Sequence, residues 1–124
     1  MTDFIFSTGT MLVTGSWDNK ARIWSAKGEL IHELNKHTNF IWAVQWSENN
    51  RYLASADRDG KAIVWNPEDG TVKQEFKFHT NLVRSIDWQN DKVFATSSND
   101  RKIKVCKVGQ ITPVKVIRHF IKRF

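Results

Sequence analysis

Three side chains near the middle of the chain are of the types that carry out acyl transfer in serine hydrolases. Ser55 could act as the nucleophile, His37 as the general base and Asp59 as the carboxylate that orients the base. The sequence around Ser55 contains neither a nucleophile elbow nor a glycine motif for an oxyanion hole. The same residue types also recur along the chain, which a catalytic site does not require.

The recurring unit is about 41 residues long. Asp18, Asp59 and Asp100 are spaced by 41 residues. Six residues after each aspartate comes an equivalent position, which is occupied in turn by Trp24, Trp65 and Cys106. A period near 40 residues with an Asp–Trp signature is typical of WD repeats. The chain therefore resembles the WD-repeat family, in which each repeat forms one four-stranded blade of a β-propeller.

The resemblance implies that the repeated polar residues form a hydrogen-bonded set within each repeat. A carboxylate in the turn between the second and third strands can accept from a histidine N–H, the histidine can reach a hydroxyl, and the hydroxyl can accept from an indole N–H. Each buried polar group then has a partner, whereas an unpaired one costs about 1–3 kcal/mol. The predicted residues are His37, Ser55, Asp59 and Trp65 in the middle repeat, His79, Thr96 and Asp100 in the third, and Thr14, Asp18 and Trp24 in the first.

This interpretation argues against an enzyme, because a catalytic triad is needed once whereas a structural set is needed in every repeat. Cys106 replaces the tryptophan of the third repeat, and a thiol is only a weak donor. We therefore expect a looser set there, so that Asp59→Ala destabilises the protein more than Asp100→Ala does. No metal or cofactor is predicted, since the histidines are scattered and no zinc-ligand spacing or phosphate-binding glycine loop occurs.

A second signature predicts the strands that must position these groups. From His37 and again from His79, apolar residues follow at steps of four, three and two residues. Short β-rich runs separated by turn residues complete a four-strand pattern. The predicted strands are Asp3–Phe6, Met11–Gly15, Ala21–Trp24 and Glu29–Leu34, then Phe40–Trp46, Tyr52–Ala56, Lys61–Trp65 and Thr71–Lys77, and finally Leu82–Trp88, Val93–Ser97, Lys102–Lys107 and Val114–Ile117.

The predicted fold class is all-β, with about three antiparallel four-stranded blades of an incomplete β-propeller. The boundaries are 1–34 for a partial blade, 35–77 for a complete blade, 78–117 for a third blade and 118–124 for the aborted start of a fourth. Propellers typically close with about four to eight blades, so three repeats do not complete a ring. A fragment, a truncated product and a self-assembling unit all fit this expectation.

Charge and cysteine content narrow the class of protein. The net charge is +6, and residues 101–124 hold eight Lys or Arg and no acidic residue. A basic end can attract nucleic acid, but no aromatic platform or groove-reading helix accompanies it, so a solvated strand is the favoured interpretation. The single cysteine favours a reducing compartment. Short apolar runs and the lack of a secretory leader predict neither a membrane span nor export.

Two tryptophans differ from the rest, because Trp17 and Trp42 do not occupy repeated apolar positions as the four predicted core tryptophans do. In WD-repeat propellers, the loop before the aspartate and the loop before the first strand lie on the same side, where partners dock. Aromatic and arginine residues are the usual anchors of interfaces. The resemblance therefore implies a partner-binding surface, with scattered surface residues as the alternative. Its candidate residues are Trp17, Thr38, Phe40, Arg58, Thr80, Leu82 and Asn99.

Several idiosyncratic segments narrow the resemblance further. They are residues 14–16, 21–24, 36–37, 73–79, 87–89 and 105–107. These segments are similar to the transducin-β-like corepressor subunits, the F-box-like/WD-repeat proteins. The resemblance implies a nuclear, non-enzymatic scaffold with protein partners, namely corepressor and histone deacetylase subunits or histone tails, and no small-molecule substrate.

Two other functions stay open at this point. A WD-repeat adaptor of another complex, such as the substrate receptor of a ubiquitin ligase, would be built from the same repeats and could be cytoplasmic. A nucleic-acid-binding module would use the basic residues 101–124, and its affinity would fall steeply with salt concentration.

Overall fold

Every regular element in the described part of the chain is a β-strand. The structure is a computed structural model that describes residues 3–6 and 11–118, with the backbone alone described for 3–6. Within those ranges the strands form three antiparallel sheets of four strands each, which we call blades 1, 2 and 3. The predicted all-β fold class is confirmed, and the three blades form part of a propeller.

Strand order within each blade follows the chain, so every neighbour is joined by a hairpin connection. Blade 1 contains β1 (Asp3–Phe6), β2 (Met11–Gly15), β3 (Lys20–Ser25) and β4 (Leu30–Asn35). Blade 2 contains β5 (Ile41–Trp46), β6 (Leu53–Asp57), β7 (Lys61–Asn66) and β8 (Thr71–Lys77). Blade 3 contains β9 (Val83–Trp88), β10 (Val93–Ser98), β11 (Lys102–Lys107) and β12 (Lys115–Arg118).

These bounds differ from the predicted ones by at most one residue at either end of a strand. One such difference matters for the site, because β6 includes Asp57, which we had expected in the following turn. At the other end of the chain, β12 includes Arg118, which we had expected to open a fourth blade. The rest of that predicted segment, 119–124, lies outside the described residues.

Two hydrophobic clusters join the blades. The first lies between blades 1 and 2 and comprises Val13, Ala21, Ile23, Leu34, Ile41, Val44, Trp46, Leu53, Ile63 and Trp65. The second lies between blades 2 and 3 and comprises Ala43, Ala54, Ala56, Ala62, Val64, Phe76, Val83, Ile86, Phe94 and Cys106. Blade 2 serves both clusters because successive side chains of a strand point to opposite faces of its sheet.

The tryptophan positions are only partly as predicted. Trp46 and Trp65 are buried core residues, whereas Trp24 and Trp88 are half-buried. Trp24 lies on the face of blade 1 that points away from blade 2, where no other blade covers it within the described residues. The indole N–H of Trp88 donates to the carbonyl oxygen of Gln45 at 3.0 Å, which ties β9 to β5 of the preceding blade.

Polar bonds also fix the blades relative to one another. The carboxylate of Asp91, in blade 3, accepts from the Ser47 hydroxyl at 2.7 Å and from the Asn49 backbone N–H at 2.9 Å. Nearer the outside, the Gln74 side chain of β8 donates to the Gln110 carbonyl at 2.9 Å and accepts from the Gly109 N–H at 2.6 Å, both in the connection between β11 and β12. Polar bonds therefore join blades 2 and 3 both near their first strands and near their outer strands.

Candidate partner-binding site

A buried hydrogen-bonded set fixes the connection before β5 against the turn between β6 and β7. The His37 ring donates from Nδ1 to Asp57 Oδ2 at 2.7 Å, and its Nε2 lies within hydrogen-bond distance of Ser55 Oγ. The indole N–H of Trp65 donates to the same Ser55 oxygen at 2.8 Å. Because the imidazole N–H is used on Asp57, the Ser55 hydroxyl donates to Nε2 and accepts from Trp65.

Our prediction that Asp59 pairs with His37 is wrong for this blade. Asp57, two residues earlier, is fully buried at the end of β6, and it reaches the imidazole directly. Its other oxygen accepts the backbone N–H groups of Asp59 and Lys61 at 2.8 and 3.1 Å. Asp59 is displaced to the surface, where hydrogen bonds from Asn39 and then Thr38 lower the pKa of its carboxyl.

The residue type two positions before the repeated aspartate indicates which carboxylate bonds the histidine. Ser16 and Ser98 occupy the position that Asp57 holds in blade 2, and each serine hydroxyl accepts the N–H of the aspartate that follows. A serine at this position cannot supply a carboxylate to the histidine, so the later aspartate does so. In blade 2 this position holds Asp57, which can supply a carboxylate. Asp57 lies deeper in the sheet than Asp59, so it is the better placed partner for the histidine.

Blade 3 has the predicted arrangement. His79 Nδ1 lies 2.8 Å from Asp100 Oδ2, and its Nε2 lies 2.7 Å from Thr96 Oγ1. Burial lowers the pKa of His79, against the opposing effect of Asp100. Burial alone would raise the pKa of Asp100, but hydrogen bonds from His79 and from backbone N–H groups, including that of Thr80, lower it. Burial raises the pKa of the Cys106 thiol to about 12, so the sulfur stays protonated.

Blade 1 shares only part of this arrangement in the described residues. The indole N–H of Trp24 donates to Thr14 Oγ1 at 3.0 Å, as its counterpart does in blade 2. Asp18 accepts from the Arg22 guanidinium at 2.6 Å, and this bond lowers the pKa of the Asp18 carboxyl. Asp18 thus forms an exposed ion pair rather than part of a buried set.

The order carboxylate, imidazole, hydroxyl in blade 2 matches that of a catalytic triad, but its burial rules out that chemistry. Ser55 is fully buried, and its oxygen already bonds both His37 and Trp65. No substrate carbonyl can approach that oxygen without unpacking the core. In the described residues no buried side-chain N or O lacks a hydrogen-bond partner, as expected of a structural network.

The buried sets position a surface depression at the same end of the blades. The connection held by His37 carries Phe40, and the turn held by Asp57 carries Arg58. Arg58 N–H donates to the Phe40 carbonyl at 3.0 Å, and Asn99 N–H donates to the Leu82 carbonyl at 3.0 Å in the equivalent place of blade 3. Five of our seven predicted surface residues therefore converge. The depression, of about 390 Å³, is lined by Trp17, Phe40, Trp42, Arg58, Asn81, Leu82 and Asn99.

Aromatic stacking organises this feature, which we call the aromatic depression. The rings of Trp17 and Phe40 are stacked, with centroids 5.4 Å apart and planes 17° apart, so the stack joins blade 1 to blade 2. The guanidinium carbon of Arg58 lies 5.9 Å from the Phe40 ring centroid, in a cation–π arrangement. Trp17 remains 52% exposed, a large fraction for a tryptophan.

The remaining predicted residues have other roles, and two lining residues were missed. Thr38 donates to Asp59 at 3.2 Å, and the Thr80 backbone N–H donates to Asp100 at 3.1 Å, so both support the loops rather than line the depression. We did not predict Trp42 or Asn81 as site residues. Trp42 carried a usable signal, because it lies two residues after Phe40 at a position where the next repeat has Arg84.

Comparison with known proteins identifies the family. The WD40 family (WD domain, G-beta repeat) matches residues 3–25, 28–66 and 69–107, which together make up most of the chain. This chain belongs to the WD-repeat family. Among the described residues of this WD-repeat chain, no three side chains are grouped to hold a metal ion, and no helix is long and apolar enough to cross a membrane.

Relatives of known name match most of the chain. It is 41% identical over 112 residues to the mouse F-box-like/WD repeat-containing protein TBL1X, a match that covers 90% of this chain and 21% of the relative. It is 43% identical over 107 residues to the WD40 repeat-containing protein HOS15 of Arabidopsis thaliana, covering 86% of this chain and 18% of the relative. The WD-repeat chain thus spans about a fifth of the length of these relatives.

Solved structures agree with the fold. The C-terminal WD40 domain of Sif2 superposes with a TM-score of 0.85 at 30% identity, covering 95% of this chain and 34% of that structure. The WD40 β-propeller domain of Doa1 superposes with a TM-score of 0.81 at 24% identity, covering 94% and 38%, and this second likeness bears on the fold alone.

Proposed function

We propose that this WD-repeat chain is a non-enzymatic scaffold for protein interactions in transcriptional corepression. Its proposed partners are corepressor and histone deacetylase subunits or histone tails, and its proposed location is the nucleus. The observation that carries the proposal is the aromatic depression, where residues from all three blades form one exposed surface. The identity of 41% to TBL1X supports the assignment of this scaffold to transcriptional corepression.

The composition of the depression suits a protein partner. Tryptophan, arginine and other large side chains with polar tips are the residues that dominate binding energy at interfaces. Trp17 is half exposed and is held by its stack on Phe40, so it would lose little conformational freedom on binding. The alternative, an adaptor of another complex such as a ubiquitin ligase, would use the same surface, but the relatives named above do not favour it.

Co-recovery of deacetylase activity tests the proposal. The tagged chain and its Trp17→Ala variant would be expressed in cultured cells and recovered from nuclear extract. Deacetylase activity and a histone deacetylase subunit would then be measured in each recovered sample. We expect both with the unsubstituted chain, and a loss of about tenfold or more with Trp17→Ala, as for a hot-spot aromatic residue.

Leu30→Ala provides a matched control. Leu30 is an apolar residue that is 50% exposed, close to the 52% of Trp17, but it lies on outer strand β4 and not in the depression. The control should recover as much activity as the unsubstituted chain. Recovery of no deacetylase by the unsubstituted chain, or equal recovery by both variants, would contradict the proposal.

A further inference from the structure

The aromatic depression contains one charged side chain. Of its seven lining residues, Arg58 alone is ionised. Four of the other six have large aromatic or aliphatic side chains, namely Trp17, Phe40, Trp42 and Leu82. Within the described residues no carboxylate forms an ion pair with Arg58. The depression therefore presents a positive charge on an apolar background.

The carboxylates of the loops that carry the depression bond to other groups, including Asp18 next to Trp17, which pairs with Arg22. Asp57 is fully buried against His37, and Asp100 bonds to His79. Asp59 accepts hydrogen bonds from the connection that precedes β5. The neutral donors Asn39 and Thr38 leave Asp59 charged, but no described carboxylate is ion-paired with Arg58, so the N–H groups of its guanidinium are available to a ligand.

We propose that the aromatic depression binds an acidic segment of a partner protein. A glutamate or aspartate carboxylate of that segment would bind Arg58, and a neighbouring apolar side chain would pack on Trp17. The proposal rests on the protein-binding function proposed above and adds the chemistry of the partner to it.

The position of Arg58 suits a carboxylate. Its guanidinium carbon lies 5.9 Å from the centroid of the Phe40 ring, and this cation–π contact uses none of the guanidinium N–H groups, so they can donate to a ligand. A guanidinium binds a carboxylate through two parallel hydrogen bonds. The Trp17 ring, stacked on Phe40, supplies apolar surface beside this donor.

The two lining amides complete the recognition surface. The Asn99 side chain can donate and accept hydrogen bonds, whereas the Asn81 amide oxygen already accepts the Leu82 N–H at 2.7 Å and leaves the amide N–H groups to donate. Such groups pair with the backbone of an extended peptide without adding charge. A lysine-rich segment, by contrast, would place a like charge near Arg58 with no acidic lining residue to compensate, which opposes binding. Among the partners proposed above, an acidic segment of a corepressor or deacetylase subunit therefore fits this surface better than a basic histone tail.

Charge-swapped peptides test the proposal directly. The probes are fluorescein-labelled peptides that alternate leucine with glutamate, with glutamine, with lysine or with phosphoserine, and binding is measured by fluorescence anisotropy. We expect the unsubstituted chain to bind the glutamate peptide about tenfold or more tightly than the glutamine peptide. Arg58→Glu should lose that preference and bind the lysine peptide more tightly than the glutamate peptide.

Two variants separate charge recognition from general effects. Arg51→Glu makes the same change of net charge on an exposed residue in the connection between β5 and β6, at the opposite end of blade 2, and it should leave the preference intact. Trp17→Ala should weaken the binding of the glutamate peptide and of the glutamine peptide equally, because it removes an apolar contact and no charge. Urea midpoints equal to that of the unsubstituted chain would show that each variant is folded.

Three results would overturn the proposal. They are equal binding of the glutamate and glutamine peptides, tighter binding of the lysine peptide by the unsubstituted chain, and tighter binding of the phosphoserine peptide than of the glutamate peptide. If deacetylase recovery still depended on Trp17, the scaffold function would stand and only the acidic-partner assignment would fail. Loss of that dependence would contradict the scaffold function itself.

Discussion

At the scale of single residues, two aspartates only two positions apart perform different tasks. Asp57 is fully buried and holds His37 together with two backbone N–H groups. Asp59 lies at the surface and bonds only exposed or half-buried donors of the preceding connection. In blade 3 the carboxylate two residues further along, Asp100, takes the histidine. The contribution of each carboxylate to stability therefore depends on how deeply it is buried, and not on whether it occupies the repeated aspartate position.

This difference predicts an order of stability that reverses our sequence-based expectation. Asp57→Ala should cost about 3 kcal/mol or more, because it leaves a buried imidazole and two N–H groups without an acceptor. Asp100→Ala should cost about 2 kcal/mol, and Asp59→Ala about 0.5 kcal/mol, as for a surface substitution. Urea unfolding followed by tryptophan fluorescence gives the three values, and a largest loss at Asp59 would refute the order.

At the scale of elements, the turn between the second and third strands of each blade needs one residue with positive φ. Asn19, Gly60 and Arg101 occupy this position, with φ of 72°, 89° and 68°, and they are spaced by 41 residues. Two of the three are not glycine, so the backbone conformation alone does not demand glycine. Gly60 differs because the connection leading to blade 3 crosses it, and a Cβ there would overlap the carbonyl of His79.

A pair of glycine substitutions separates these two effects. Gly60 and Gly28 have nearly the same φ, 89° and 88°, but no atom lies within 4 Å of a Cβ built on Gly28. Gly28→Ala should therefore cost only the backbone strain, about 1–2 kcal/mol. Gly60→Ala should cost that amount and about 1–3 kcal/mol more for overpacking. Urea midpoints of the two variants measure the difference, and equal losses would mean that the His79 connection shifts without cost.

At the scale of the whole molecule, each blade contributes the same strand positions to the interface with the next blade. Phe76 of β8 pairs with Ala62, and Ile117 of β12 pairs with Ile103 in the same register 41 residues later. Phe76 is 2% exposed and packs edge-on against Phe94 of blade 3, with ring centroids 5.1 Å apart. Ile117 is 39% exposed, because no described residue covers that face of blade 3.

Truncation at these equivalent positions should therefore have unequal effects. Phe76→Ala should lower the free energy of unfolding by about 3–5 kcal/mol, since it leaves a cavity between two blades. Ile117→Ala should lower it by only about 1 kcal/mol, because 39% of Ile117 is already exposed and truncation on an uncovered face leaves no enclosed cavity. Urea unfolding at two protein concentrations measures both. A large, concentration-dependent loss at Ile117 would show that another chain covers this face.

Much of this arrangement could be read from the sequence. The period of 41 residues and the alternation of apolar residues are local properties, so they predicted the three sheets and placed strand ends to within one residue. The resemblance to WD-repeat propellers, which implies that these loops lie on one partner-binding side, named five of the seven residues that line the aromatic depression. Trp42 was missed because its strand position alone does not indicate how far its ring extends to the surface.

The sequence alone determined the repeat, the strand pattern and the residue types available at each turn, because backbone periodicity depends on neighbours along the chain. Packing in three dimensions decided that His37 bonds Asp57 and not Asp59, since that choice depends on the depth of a carboxylate within the sheet. Packing also placed Arg58 over Phe40 and Phe40 against Trp17, three residues from two blades. The first contact forms when the loops of blade 2 fold together, and the second forms only when blades 1 and 2 are docked, because both depend on the distance and orientation between side chains far apart in sequence.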